Sequence, residues 1–290
     1  GSSRLDVYRK GGDSLMGRYF YYRVHPLSVA EIATPTVCDR DIRPQPTAIS
    51  DEDWEALLTF GGFPEPFIQR STTFSRRFRS MRRAQLFHED IRDGTRIDDI
   101  ASMELLATLL EGTAARSLTY RSLANNVNVS ADTIKRWVEV LKSFYFCFSI
   151  QPWSRTISRS LIKEPKLYLW DWSLIDDEGQ RCENLVASHL LKAVHFWTDC
   201  GLGDYQLAYI RTKEQREVDF VIIRDGQPWF LVEVKAKRTA LSKDLFHFQK
   251  ELGAEHAFQV VFDLPFIDRN CFEMREPTVV PARTFLSQLI

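Results

Sequence analysis

Asp219, Glu233 and Lys235 interrupt two otherwise apolar runs, Val218-Asp219-Phe220-Val221-Ile222-Ile223 and Phe230-Leu231-Val232-Glu233-Val234-Lys235. An ionised side chain inside an apolar strand is costly unless it is paired or holds a metal. Two carboxylates offer the hard oxygen ligands that Mg²⁺ or Mn²⁺ takes, with waters and a strand carbonyl near Val234 completing the shell. A bound ion makes water easier to deprotonate, and Lys235 is suited to orient that water or to neutralise charge on a phosphate under attack. The competing reading is a simple Glu233–Lys235 salt bridge on an exposed strand face.

The elements that must position these groups are two β-strands joined near Asp225-Gly226. Alternation places Glu233 and Lys235 on one face and Val232 and Val234 on the other. A two-residue turn at Asp225-Gly226 would pair Asp219 with Val232 and send it to the opposite face. A three-residue loop, Arg224-Asp225-Gly226, with a left-handed Gly226 in a bulge, would pair Asp219 with Leu231 and keep it beside Glu233. The second loop is the expectation. Upstream, a helix from Gly179 to about Phe196 carries Glu183 near its start, where a carboxylate also suits the helix dipole. Strands near 206–211 and 257–262 and a helix over 241–252 complete the order helix-β-β-β-helix-β. Gln249 on that last helix is a weaker candidate to face the site. His189 and His195 lack zinc-ligand spacing and read as packing or surface residues.

Asp219, Glu233-x-Lys235 and the helical Glu183 together resemble the PD-(D/E)XK nuclease core. The whole chain is similar to the C-terminal part of bacterial and archaeal AAA-type ATP-binding proteins that end in a module joining a winged helix to such a core. The resemblance implies a mixed α/β (α+β) fold divided into an ATPase remnant (1–35), a helical region (36–115), a winged-helix-like domain (116–175) and a nuclease-like domain (176–290). It implies Asp219, Glu233 and Glu183 as ligands of Mg²⁺ or Mn²⁺, Lys235 as the catalytic lysine, and DNA as the nucleic-acid partner. Gly17-Arg18 and Pro26-Leu27-Ser28-Val29-Ala30-Glu31 match the end of the ATPase domain. Gly12 and Gly17 have phosphate-loop spacing, but Arg18 and Tyr19 replace the lysine and the Ser/Thr that such a loop requires. ATP therefore belongs only to a longer protein. The second reading is a regulatory or partner-binding module without turnover.

Two further segments bear on nucleic acid. A helix with Phe74, Phe78 and Met81 as its buried stripe carries Arg76, Arg77, Arg79, Arg82 and Arg83. Arg76, Arg79 and Arg83 are candidates to track a phosphate backbone; an acid-paired face is the alternative. Downstream, Tyr120 to Ala124, a turn at Asn125 to Asn128, and a Ser130-capped helix read as helix-turn-helix, with Phe144 to Ile150 as a wing strand. Lys135, Arg136 and Lys142 lie outside its core and would meet DNA, a reading that Asp132 and Glu139 oppose; a protein contact is the alternative. Ser154 to Arg159 reads as a basic loop, and Lys166 to Trp172 as a buried strand.

The bulk figures set bounds. The 290 residues are 44% hydrophobic and 27% charged, ordinary for a globular protein. A net charge of −1 excludes a uniformly basic coat, so nucleic acid must be met by local patches. Five scattered cysteines without Cys-x-x-Cys suggest neither a disulfide framework nor a zinc finger and favour the cytoplasm. No apolar run reaches membrane length.

Overall fold

The computed structural model describes residues 22–36, 38–95, 97–153, 164–212, 214 and 216–290. Gly17-Arg18, the Gly12/Gly17 spacing and the basic loop Ser154 to Arg159 lie outside the described residues. The described residues begin with α1 (Val29–Ala33), α2 (Asp51–Phe60), α3 (Pro64–Gln69) and α4 (Thr72–Gln85). A π-helical turn, Leu86–Ile91, leads into α5 (Arg92–Gly94) and then α6 (Ile100–Gly112). Next come β1 (Arg116–Ser117), α7 (Tyr120–Val127), α8 (Ala131–Ser143), β2 (Cys147–Pro152) and β3 (Lys166–Leu169). The last part holds α9 (Glu178–Asp199), β4 (Tyr205–Arg211), β5 (Glu217–Arg224), β6 (Gln227–Lys235), α10 (Lys243–Leu252), β7 (His256–Val261), β8 (Thr278–Pro281) and α11 (Ala282–Ser287).

Among the described residues the strands form one eight-stranded mixed sheet, ordered β1-β3-β2-β4-β5-β6-β7-β8. β2 pairs antiparallel with β3 and parallel with β4, so strands on either side of residue 176 share a single sheet. β4, β5 and β6 form an antiparallel meander, and β7 and β8 extend it in parallel. One face carries Phe220, Phe230, Val232 and Phe258 and packs in the same core as Leu185 and Leu190 of α9. The other carries Val221, Leu231 and Ala257 under Leu245 and Phe248 of α10. Each large apolar side chain among them contributes about 1.5–3 kcal/mol on burial.

Local signals account for most helix boundaries. Ser50 caps α2 through the Asp53 amide at 3.1 Å, and Ser130 caps α8 through that of Thr133 at 3.0 Å. Left-handed Asn128 (φ 61°) ends α7, so α7 and α8 meet at a tight corner, with Ile134, Trp137, Val138 and Leu141 turned inward. Ser28 and Glu31 form a reciprocal capping box that starts α1. The Gly61-Gly62 pair ends α2 and lets its loop lie directly on Trp172, whose indole N–H donates to Leu57 O at 2.8 Å.

One expectation fails here. The stripe of α4 is only partly covered: Met81 is 49% exposed, and Ser75 is the residue of this helix that is buried. Phe78 is instead roofed by Arg82, whose guanidinium also lies 3.8 Å from the Phe63 ring centre. The segment beyond Pro265 supplies β8 and α11, and Ile290 O accepts from Ser28 Oγ at 2.8 Å.

Candidate active site

Asp219 and Glu233 come together through two β-bulges. The β5–β6 connection is a two-residue turn, with Asp225 (φ 51°) and Gly226 (φ 77°) both left-handed and Arg224 paired with Gln227. That turn alone would have paired Asp219 with Val232. However, Ile223 pairs with Pro228 while Ile222 pairs with Phe230, so Trp229 is an extra residue and the register slips by one. From there Phe220 pairs with Val232, and Asp219 falls opposite Glu233 where the ladder ends. The expected three-residue loop and Asp219–Leu231 pairing are therefore replaced by a shorter turn plus a bulge, and the two acids still meet.

The second bulge is at Asp219 itself. Ala208 pairs with Val221 but Ile210 with Val218, so Asp219 and Phe220 share Tyr209 as their partner. Val218 and Val221, three apart, consequently lie in the same core. The extra residue turns the Asp219 carboxylate into the gap between strands, where Oδ2 accepts from Val234 N at 2.9 Å. Asp219 is thus tied to the backbone between Glu233 and Lys235.

The cluster contains residues that the sequence pattern did not single out. Lys166 of β3 is 4% exposed, and its ammonium lies 3.1 Å from Glu183 Oε1, 2.5 Å from Glu217 Oε1 and 3.5 Å from Asp219 Oδ1. Tyr168, two residues along the same strand face, donates to Glu183 Oε1 at 2.9 Å. Arg211 Nε approaches the other Glu217 oxygen at 3.6 Å. Lys235 Nζ holds Glu233 Oε1 at 2.8 Å, while Glu233 Oε2 is buried without a hydrogen-bond partner. The signal for Lys166 was present: it is a charge in a run read as a buried strand, the same criterion that singled out Asp219.

Four carboxylates face two ammoniums and one guanidinium, one negative charge in excess if all are ionised. Burial, and then the Asp219 charge, push Glu183 up to about 8 and Glu233 up to about 7. Burial opposes the charged form of Lys166, but Glu183, Asp219 and Glu217 outweigh it and hold the ammonium well above its ordinary range. Lys235 is raised as well, the Glu233 contact overcoming its burial. With all groups ionised the cluster is one positive charge short, a balance that favours a proton or a cation there.

Among the described residues no three His, Cys, Asp or Glu side chains converge so as to hold a metal ion. Glu183 lies in the second turn of α9, beyond the first turn where the helix dipole acts most strongly, and its Oε1 serves Lys166 and Tyr168. The pair Asp219 and Glu233, with the orphaned Oε2, still suits an ion of the Mg²⁺ type, which commonly takes one or two carboxylates and fills its shell with water and phosphate oxygens.

Other candidates are placed elsewhere. Gln249 donates to Ala254 O and Arg275 O at the far end of α10, away from the cluster. His189 Nε2 accepts from Val29 N at 3.1 Å and His195 contacts His25 at 3.0 Å, so both serve packing. Lys135 and Arg136 are exposed on α8, whereas Lys142 is paired with Glu139 at 2.9 Å. Arg76 is exposed on α4 and Arg79 is half-buried. Arg83 binds Glu111 at 3.1 Å and Glu104 O at 2.7 Å, which commits it to α6 and takes it out of any phosphate track.

Residues 51–177 match a family model described as a domain of unknown function, DUF8612, and residues 178–264 match another, DUF4143. The chain is 23% identical over 261 residues to the uncharacterized proteins Rv2008c of Mycobacterium tuberculosis and Mb2031c of Mycobacterium bovis, covering 84% of this chain and 53% of each relative. It spans about half the length of these curated relatives. No solved structure matches. DUF4143 is commonly found with AAA-type ATPases. The chain is thus similar, in succession, to two domains of unknown function, DUF8612 and then DUF4143.

Proposed function

We propose that the cluster at the end of β5 and β6 is a divalent-metal-dependent phosphodiesterase site of the PD-(D/E)XK type, acting on DNA and carried as a module of an AAA-type ATPase. The observation that carries this reading is the pairing of Asp219, tied to Val234 N, with Glu233, whose Oε2 is buried and unsatisfied. Asp219 and Glu233 would hold Mg²⁺ or Mn²⁺, which when bound polarises a phosphoryl oxygen and acidifies water. Val234 N–H and Lys166 orient Asp219 before any substrate arrives. Lys235, with 37% of its side chain exposed, is the cation able to reach an incoming phosphate and stabilise charge developing on it. Glu183 serves as the anchor of Lys166. The α7–α8 pair with the β2–β3 strands is the winged-helix element, presenting Lys135 and Arg136 to the duplex.

A second reading, a partner-binding module without turnover, is favoured by one observation: Lys166 already engages three of the four carboxylates. Incubating the purified chain with single-stranded, duplex and branched DNA in Mn²⁺ separates the two. Cleavage that disappears in Lys235→Ala supports the phosphodiesterase; equal strand breakage by both forms removes it.

A further inference from the structure

We infer that Lys166 occupies the place of a second cation, so that the site takes a single divalent ion, at Asp219 and Glu233, and none at Glu183 and Glu217. The inference rests on the reading of Asp219 and Glu233 as metal carriers. A two-ion centre, in which ions about 3.5–4 Å apart share a bridging group, needs free carboxylate oxygens on both sides of that bridge. Asp219 is the residue placed to bridge. Its Oδ2 is taken by Val234 N, and its Oδ1 faces the Lys166 ammonium at 3.5 Å.

The remaining acids are already served by protein cations. Glu183 Oε1 receives both the Lys166 ammonium and the Tyr168 hydroxyl, leaving little lone-pair capacity there. Glu217 is held by Lys166 through one oxygen and approached by Arg211 at the other. Glu233 Oε2, by contrast, has no protein partner. Glu233 Oε2 is thus the fully buried carboxylate oxygen of the cluster left without a partner, while the internal ammonium lies against Glu183, Glu217 and Asp219 Oδ1. A lysine buried to this degree is retained only where its charge is matched, and β3 delivers it to the one point that three acids share. An ammonium supplies charge but not Lewis acidity, so water activation is confined to the Glu233 side.

Equilibrium dialysis with Mn²⁺ tests this by counting ions per chain. The wild-type chain is expected to bind one. Lys166→Met is expected to bind two, with a larger rise in melting temperature on adding Mn²⁺ than the wild type shows. If Lys166→Met does not fold, Glu217→Gln replaces it and is expected to keep one ion. Two ions on the wild type, one on Lys166→Met, or loss of the ion in Glu217→Gln would overturn the inference and leave the phosphodiesterase reading standing. No ion on the wild type would remove that reading itself.

Discussion

Asp219 Oδ2 and Val234 N lie 2.9 Å apart at the point where the β5–β6 ladder stops, so a side chain completes a hydrogen bond that the neighbouring strand no longer supplies. Removing that acceptor leaves a backbone N–H unsatisfied, at a cost of about 1–3 kcal/mol. We predict that Asp219→Ala lowers stability by that amount in urea titrations, whereas Asp219→Asn, which keeps an oxygen in place, loses less. Both are expected to lose DNA cleavage. Equal stability of Asp219→Ala and the wild type would show that the contact does not hold the strand end.

The two lysines of the cluster differ in what they support. Lys166 is almost fully enclosed and touches three acids, so Lys166→Ala leaves buried carboxylates uncompensated and is expected to cost about 3–5 kcal/mol. Lys235 is more than a third exposed and touches Glu233, so Lys235→Ala is expected to cost no more than about 1 kcal/mol while abolishing cleavage. Similar unfolding midpoints for the two variants would contradict this division between scaffold and chemistry.

Strands β2 to β7 were legible in the sequence as short, largely apolar runs bounded by turn residues, and the acids were legible as charges within such runs. The route by which Asp219 meets Glu233 was not. It depends on Trp229 being squeezed out of the ladder, where its ring packs on Trp197 at 5.5 Å and Phe272 at 6.1 Å, both remote in sequence. Lys166 was visible as a charge in a buried strand, but its partners were not: they lie in α9 and β5, and no local pattern joins them to β3. The α4 arginines show the converse. Their spacing suggested a phosphate track, but Arg83 reaches an acid and a carbonyl of α6, and Arg82 spends its charge on two aromatic faces.

Three histidines around α1 and α9 give the fold a defined response to acid. Burial is the main cause for each: His25 is brought down to about 3, His189 to about 4 and His195 to about 4, with the His195 and Lys192 charges adding to the effect on His25. Folded values below the unfolded 6.5 mean that the unfolded chain binds protons first. The stability contributed by the neutral rings is therefore present above about pH 6.5 and is lost as pH falls from there towards 4. We predict a melting temperature that drops across that window. His195→Gln is expected to make the decline shallower by up to about 1.4 kcal/mol per pH unit. A decline of unchanged steepness in the variant would remove His195 from the account.

The proposed contact of α8 with nucleic acid makes a prediction that separates surface charge from structural charge. Arg136 is exposed on the helix that follows the α7–α8 corner, while Arg83 is bound to Glu111. Removing a side chain that neutralises one phosphate reduces the slope of log affinity against log salt by about 0.9 on duplex DNA. Arg136→Glu is expected to weaken duplex binding and flatten that slope by about this amount, with little change in stability. Arg83→Ala is expected to do the reverse, lowering the unfolding midpoint and leaving the slope alone. Because Lys142 is paired with Glu139 at 2.9 Å, Glu139→Gln should release an ammonium and tighten binding at low salt. Fluorescence anisotropy on a labelled duplex across a salt series measures all three; an unchanged slope in Arg136→Glu would rule α8 out as the DNA-facing helix.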